Sequence, residues 1–268
     1  MSKTSAKTSF STFLLAGISL WRREVIRFLR QRSRVVGALG TPIIFWVLLG
    51  SGLGKSFSAA GGASGVSYSE YSFPGTVILI VLFTAIFATI SIIEDRREGF
   101  LQGVLVAPVG RSAIVFGKIL GSSTLAVAQA LLFMVAMPLA GMTITLSAVF
   151  LSFATLIIVS VGLSALGFVI AWRMQSTQGF HAIMNLFLIP MWLLSGAIFP
   201  VSGAAGWLGW IMKVNPLTYG VAAMRYALYG GSVDRIGDVP SWSVSLVVTS
   251  GFAVAMVGLS AWIVDRRN

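Results

Sequence analysis

Few residues in this chain could do chemistry. There is one histidine, no cysteine, and eight Asp and Glu residues in 268. One imidazole with no cysteine and no neighbouring carboxylate cannot hold a transition metal. His181 is therefore expected to be a hydrogen-bonded structural histidine. Serines are plentiful, but every Ser/His/Asp relay would have to be assembled around that single ring. Glu94, Asp95 and Glu98 form the only acidic cluster, and Arg96 and Arg97 interleave it. That pattern reads as a solvated charged loop rather than a paired acid and base. The expectation is no catalytic residue and no metal ligand.

Gly50, Gly52, Gly54, Lys55 and Ser56 look at first like a phosphate-binding loop. G-x-x-x-x-G-K-S would need glycine at 49, where the chain has Leu49. The run also ends an apolar segment, where its glycines allow fraying or close packing.

The composition explains this scarcity. The chain is 56% hydrophobic and 10% charged, with mean hydropathy +0.90. Soluble domains are about a quarter charged, so an integral membrane protein is implied. A disulfide scaffold and a disordered chain are both excluded. A charge at mid-bilayer costs roughly 2.5–3.5 kcal/mol on insertion scales, so charge-free stretches locate the spans. Residues 35–54 and 71–93 are each one span long. Residues 119–172 would make a helix of roughly 81 Å and must turn back near Pro138, Gly141, Thr143 and Thr145. That gives spans at about 119–139 and 147–172. The 39 residues 174–212 hold one span, 180–199, and a glycine-broken remainder. The last span is 241–264. An outer re-entrant segment is expected over 200–230, since irregular backbone at membrane depth must be buried by protein.

Net charge is +11. In a soluble protein that would suggest nucleic acid, but here the excess is one-sided. With the N-terminus inside, fifteen Lys and Arg fall on the inner side and four on the outer. Both termini are thus expected to be cytoplasmic, and no nucleic-acid partner is implied. Trp172, Trp207, Trp210, Trp242 and Trp262 fall near the expected interfaces. The expected fold class is all-α integral membrane, one domain over 1–268 with six transmembrane helices.

Two segments outside the bilayer stand out. Over 10–34, Phe10, Leu14, Ile18, Trp21, Val25, Phe28 and Leu29 form one helical stripe, opposite Arg23, Arg27, Arg30 and Arg34. This is a basic amphipathic interface helix. It serves either as a lipid anchor or also as a contact for a cytoplasmic partner. The loop 94–118 carries Phe100, Leu101, Val104 and Leu105 at helical spacing before Pro108. Its small apolar face either packs on its own helices or finds a partner. No span carries an internal charge, so gradient-driven transport is disfavoured and any cargo should be apolar or amphipathic.

In this order and spacing, the features resemble the membrane subunits of ABC-2-type exporters. The matching text is Glu94 to Leu101, Leu105 to Val109, Arg111 and Gly117-Lys118. It continues with Leu194 to Pro200, then Asn215 to Tyr219 and Arg225. The likeness runs from about residue 10 to 264. It implies a bacterial inner-membrane permease, a homodimer or paired subunit, bound to two separate ABC ATPase subunits and surrounded by membrane lipid. ATP and Mg would sit on the ATPase, with no cofactor on this chain. By the resemblance, coupling falls on Arg97, Glu98, Phe100, Leu101, Leu105, Pro108 and Arg111. The interface helix would contact the ATPase through Arg23, Arg27 and Arg30, with Trp21 on the same helix. An outer gate falls on Ser195, Gly196, Phe199, Pro200, Asn215, Pro216 and Arg225. Drug and lipo-oligosaccharide exporters are the nearest members, and polysaccharide exporters share the fold. A non-transporting scaffold and a membrane-embedded enzyme are the other classes, the last lacking any visible site.

Overall fold

A computed structural model describes residues 10–59, 66–106, 110–199, 205–230 and 239–266, with the side chains of residues 34 and 53–59 left out. Pro108 and Pro200 lie outside the described residues. Every regular element among the described residues is helical. These are α1 (Phe10–Arg30), α2 (Arg32–Ala59), α3 (Tyr68–Ala88), α4 (Ile90–Arg97), α5 (Phe100–Val106), α6 (Ser112–Met134), α7 (Leu146–Arg173), α8 (Thr177–Trp192), α9 (Gly206–Val214), α10 (Pro216–Tyr229) and α11 (Trp242–Arg266). Six segments are long and apolar enough to cross a membrane: Val35–Gly52, Tyr68–Arg97, Ser112–Met134, Leu146–Arg173, Thr177–Ala197 and Trp242–Arg266.

Polar caps set several of the helix starts. Ser67 Oγ accepts from Glu70 N–H at 3.1 Å, Thr145 Oγ1 from Ala148 N–H at 3.2 Å and Ser176 Oγ from Gly179 N–H at 3.2 Å. Asn215 accepts from Leu217 N–H at 3.0 Å, with Pro216 in the first helical position, where its missing N–H costs nothing. Between α6 and α7 the chain reverses through Met137–Ala140 and Gly141, whose φ of +85° lies in the left-handed region.

α3 is apolar all round, and nearly every residue of it is buried, as such a helix must be. It is flanked by α2, α6, α7 and α10. α11 packs on α7, and α1 lies along α6. One end of the bundle gathers α1, α4 and the last turns of α7 and α11. There Arg96 reaches Trp172 and Met174, and Arg111 reaches the Val264 carbonyl. At the other end the Trp46 indole donates to Ser69 O at 2.9 Å and Tyr229 donates to Glu70 O at 3.0 Å.

The structure departs from the sequence reading in three elements. The charged residues Glu94 to Arg97 do not end the second span; α4 continues the helical path through them. α6 likewise starts at Ser112, so Lys118 lies nearly two turns inside it. On α1 the buried seam is Gly17, Leu20, Glu24 and Phe28, while Phe10, Ile18 and Leu29 of the apolar stripe stay exposed. The seam is turned because small residues admit α1 close to α6. A Cβ on Gly117 would fall 2.6 Å from the Leu20 Cβ and 2.8 Å from the Gly17 carbonyl oxygen, and one on Gly121 would fall 2.7 Å from the Glu24 Cβ.

Gly117→Val is expected to destabilise the folded chain by about 1–3 kcal/mol through overpacking. Gly103→Ala, where a Cβ meets nothing within 4 Å, should lose far less. Thermal unfolding in detergent checks the pair.

Candidate functional site

At the end where α1 meets α4 and α6, the structure builds a buried ionic junction. Asp95 is fully buried. It accepts a two-pronged bond from Arg23, at 2.6 Å from Nη2 and 2.9 Å from Nη1, and another from Arg27 Nη1 at 2.7 Å. Lys118, 2% exposed, donates to the same carboxylate from α6. Its ammonium also reaches Glu24 Oε1 at 2.6 Å and Ser91 Oγ at 3.1 Å. Arg27 extends the network to Glu94 at 3.0 Å and Glu98 at 3.2 Å. The hydrogen bonds that Arg23 donates to Asp95 outweigh burial and raise its guanidinium above the ordinary value. It stays charged throughout any physiological pH range.

This arrangement corrects the solvated-loop reading of the acidic cluster. Three cations on α1 and α6 offset all but one of the four carboxylate charges they meet, so helical structure runs through the acidic cluster. Arg23 and Arg27 are committed to the chain itself. Arg30 is exposed. The Trp21 indole donates to Thr124 on α6 at 3.0 Å, fixing α1 from its other side.

α5 divides into a held and a free half. The Arg23 guanidinium carbon lies 3.7 Å from the centroid of the Phe100 ring, a cation–π contact. Leu101 is buried in the core. Leu105 and Val106, by contrast, are 37% and 85% exposed. Arg97 and Glu98, before α5, are exposed, and Arg111, after it, is half-buried. The exposed apolar face is therefore Leu105 and Val106, not Phe100 and Leu101.

The opposite end holds a broken helix. Pro190 removes an N–H near the end of α8. The following turn, Leu193–Ala197, contains Leu194 at ψ +18° and Gly196 at φ +79°. Carbonyls released by such a break need new donors when buried, and side chains from three directions supply them. Asn215 Nδ2 donates to Met191 O at 2.6 Å and Leu194 O at 3.1 Å. Tyr71 OH and Arg225 Nη2 both donate to Gly196 O, at 3.2 and 2.7 Å. Ser195 Oγ donates to Trp192 O at 2.6 Å, and Tyr68 OH to Ile198 O at 3.3 Å. The Trp192 indole ties α8 to Gly75 O on α3 at 2.7 Å. There the glycine is required, because a Cβ would fall 2.7 Å from the Ala197 Cα.

The structure thus brings Ser195, Gly196, Asn215, Pro216 and Arg225 together and leaves Phe199 half-buried after the break. Arg225 is 2% exposed, with its guanidinium carbon 4.3 Å from the Tyr71 ring centroid. Beside the break, Leu186, Phe187, Pro190, Trp210, Ile211 and Val214 line an apolar groove of about 730 Å³ between α8 and α9.

His181 is exposed and lies against the Phe87 ring, with centroids 5.0 Å apart. This replaces the hydrogen-bonded role expected of it. Residues 50–56 are helical, and a helix cannot wrap its backbone around a phosphate. Among the described residues no group of three His, Cys, Asp or Glu could hold a metal ion.

Sequence reasoning missed Glu24, Asp95 and Lys118 as a set, and Tyr68, Tyr71 and Trp192 as partners of the break. One signal was present for the first set: Lys118 interrupts an apolar helical pattern and has no counter-charge within its own helix. The tyrosines gave none.

Residues 17–229 match the family model described as ABC-2 type transporter. The chain is 29% identical to Nodulation protein J of Rhizobium leguminosarum bv. trifolii over 247 residues, 90% of this chain and 92% of that protein. It is 27% identical to Nodulation protein J of Neorhizobium galegae over 83% and 85% of the two chains. It is also 25% identical to the putative transport permease ycf38 of Cyanophora paradoxa over 86% and 79%.

Asp95→Asn leaves three cations facing one neutral amide. A loss of about 3–5 kcal/mol is expected, the usual effect of breaking a buried pair from one side. Chemical or thermal unfolding in lipid or detergent measures it. Asn215→Leu, which removes the two bonds that its amide donates to Met191 O and Leu194 O, should cost about 1–3 kcal/mol for the donors lost by buried carbonyls.

Proposed function

The chain belongs to the ABC-2 type transporter family, and on that premise we propose that it is the membrane subunit of an ATP-driven exporter in a bacterial cytoplasmic membrane. The family implies an ABC transporter with an ATPase partner. Two copies of this chain, a homodimer, would bind two ATPase subunits, and ATP and Mg would be held there. The junction end would face the cytoplasm, where the positive-inside bias places most of the basic residues. The broken helix, α9 and α10 would then lie toward the outer surface as an exit gate.

One observation carries this reading. Phe100 and Leu101 pin the start of α5 to the bundle, and Leu105 and Val106 project from its end. An apolar tip on an anchored stub suits a cleft in a partner protein. Closure of the paired ATPases would push α5, and the junction would pass that push to α1 and α6. The exit route would open along the interface between the two permease copies. The cargo would be amphipathic or lipid-like, of the drug or lipo-oligosaccharide class. The apolar groove beside the break supports that class over a small ion.

Leu105→Asp combined with Val106→Asp should leave insertion and thermal stability unchanged, because both side chains are exposed. It should reduce co-purification with the ABC ATPase, and ATP turnover of the complex in lipid, by about tenfold or more. A stable 2:2 complex of the wild-type chain is expected in the same experiment. Undiminished coupling in the double variant would refute the assignment of α5. Failure of every candidate ABC ATPase from the same cell to bind the wild-type chain would favour a non-transporting scaffold.

A further inference from the structure

We propose that Arg96 is a positioning residue that carries movement of α4 and α5 into the turn between α7 and α8, and so into the start of the fifth span. The inference rests on the reading of α5 as the ATPase-facing element.

α4 lies between a tightened turn and a left-handed glycine. On one side Thr89 stays in the helical region, but its ψ opens to −9° and its N–H bonds to Ile86 O at 3.0 Å. On the other, Gly99 takes φ +78°, a left-handed value that suits glycine. The eight residues between them form a stretch about 12 Å long that continues from α3 and is set off from α5. Its two charged faces reach different helices. Asp95 faces α1 and α6 through the junction. Arg96, a further 100° or so around the helix, faces α7.

The Arg96 contacts are specific. Nη1 donates to Met174 O and Nη2 to Trp172 O, each at 2.7 Å, with the guanidinium carbon 5.4 Å from the Trp172 ring centroid. Trp172 belongs to the last turn of α7, whose carbonyls have no intrahelical partner, and Met174 is its cap. A cation there also meets the negative end of the helix dipole. The fork spans both acceptors at once, which a point charge cannot do. Three residues past Met174 α8 begins, and only Gln175 and Ser176 separate the grip from the span. A displacement of α4 therefore drags the α7–α8 turn with it. Asp95 distributes the same displacement to α1 and α6.

The test uses a cysteine-free chain, so a single introduced thiol is unique. Gln178→Cys, exposed at the start of α8, is labelled with an environment-sensitive fluorophore. The labelled chain is reconstituted in lipid with the ABC ATPase that co-purifies with it, and emission is followed on adding ATP and vanadate. The wild-type background should show an ATP-dependent change. Arg96→Met keeps the apolar stem and should preserve the complex while cutting that change about tenfold. Arg96→Lys should fall between them, which a purely structural cap would not produce at equal thermal stability. If Arg96→Met does not insert, the Lys variant against wild type carries the comparison. An unchanged response in either inserted variant overturns the proposal. So does a wild-type complex that turns over ATP with no response at position 178. Absence of any ATPase complex with the wild-type chain is a separate result: it removes the ATPase reading and this proposal with it.

Discussion

A carboxylate with no access to water must be surrounded by donors, and Asp95 is that group here. Its two oxygens take hydrogen bonds from α1 through Arg23 and Arg27 and from α6 through Lys118. Burying such a set is expensive, and the mutual attraction of the charges offsets the cost only when every member is present. The position of the first helix, the helical path through Glu94 to Arg97 and the depth of Lys118 all depend on this closure. The anchored start of α5 depends on it too, because Arg23 covers the Phe100 ring.

The two ends of the bundle solve the same problem with different chemistry. At the junction, three cations offset all but one of four carboxylate charges. At the broken end of α8 the groups needing partners are backbone carbonyls, and neutral hydroxyls and an amide satisfy most of them. Arg225 is the exception, a buried cation that shares Gly196 O with Tyr71. α3 joins the two ends. Its first turns supply Tyr68 and Tyr71 to the break, and α4, which follows it, supplies Asp95 and Arg96. A transporter needs rigid elements with a few places to bend. The left-handed glycines Gly99 and Gly196 fall beside the two polar clusters.

How far the sequence could be read follows from the range of each interaction. The helical class and the six spans follow from long charge-free runs, which are local and cumulative. The groups at the break include Asn215 and Arg225, whose place in an ordered motif drew attention to them. The family likeness was legible for the same reason, since motif order survives where contacts are invisible. The burial of Leu101 was not legible because periodicity marks an apolar face without saying what covers it. Lys118 was set at the end of the 94–118 loop because a charge bounds a span until its buried partner is seen. Glu24 and Asp95 are 71 residues apart in the sequence, and nothing local links them.

The sequence by itself determined that the chain is a six-span helical membrane protein with a basic N-terminal helix and an excess of cations on one side. Those are properties of single segments meeting lipid and water, and each segment carries its own answer in its composition. The tertiary structure alone decided which charges are buried, which half of α5 is free, and what holds the ends of the broken helix. Each of those depends on the distance between groups on different helices, and hydrogen bonds and ion pairs act only within a few ångströms.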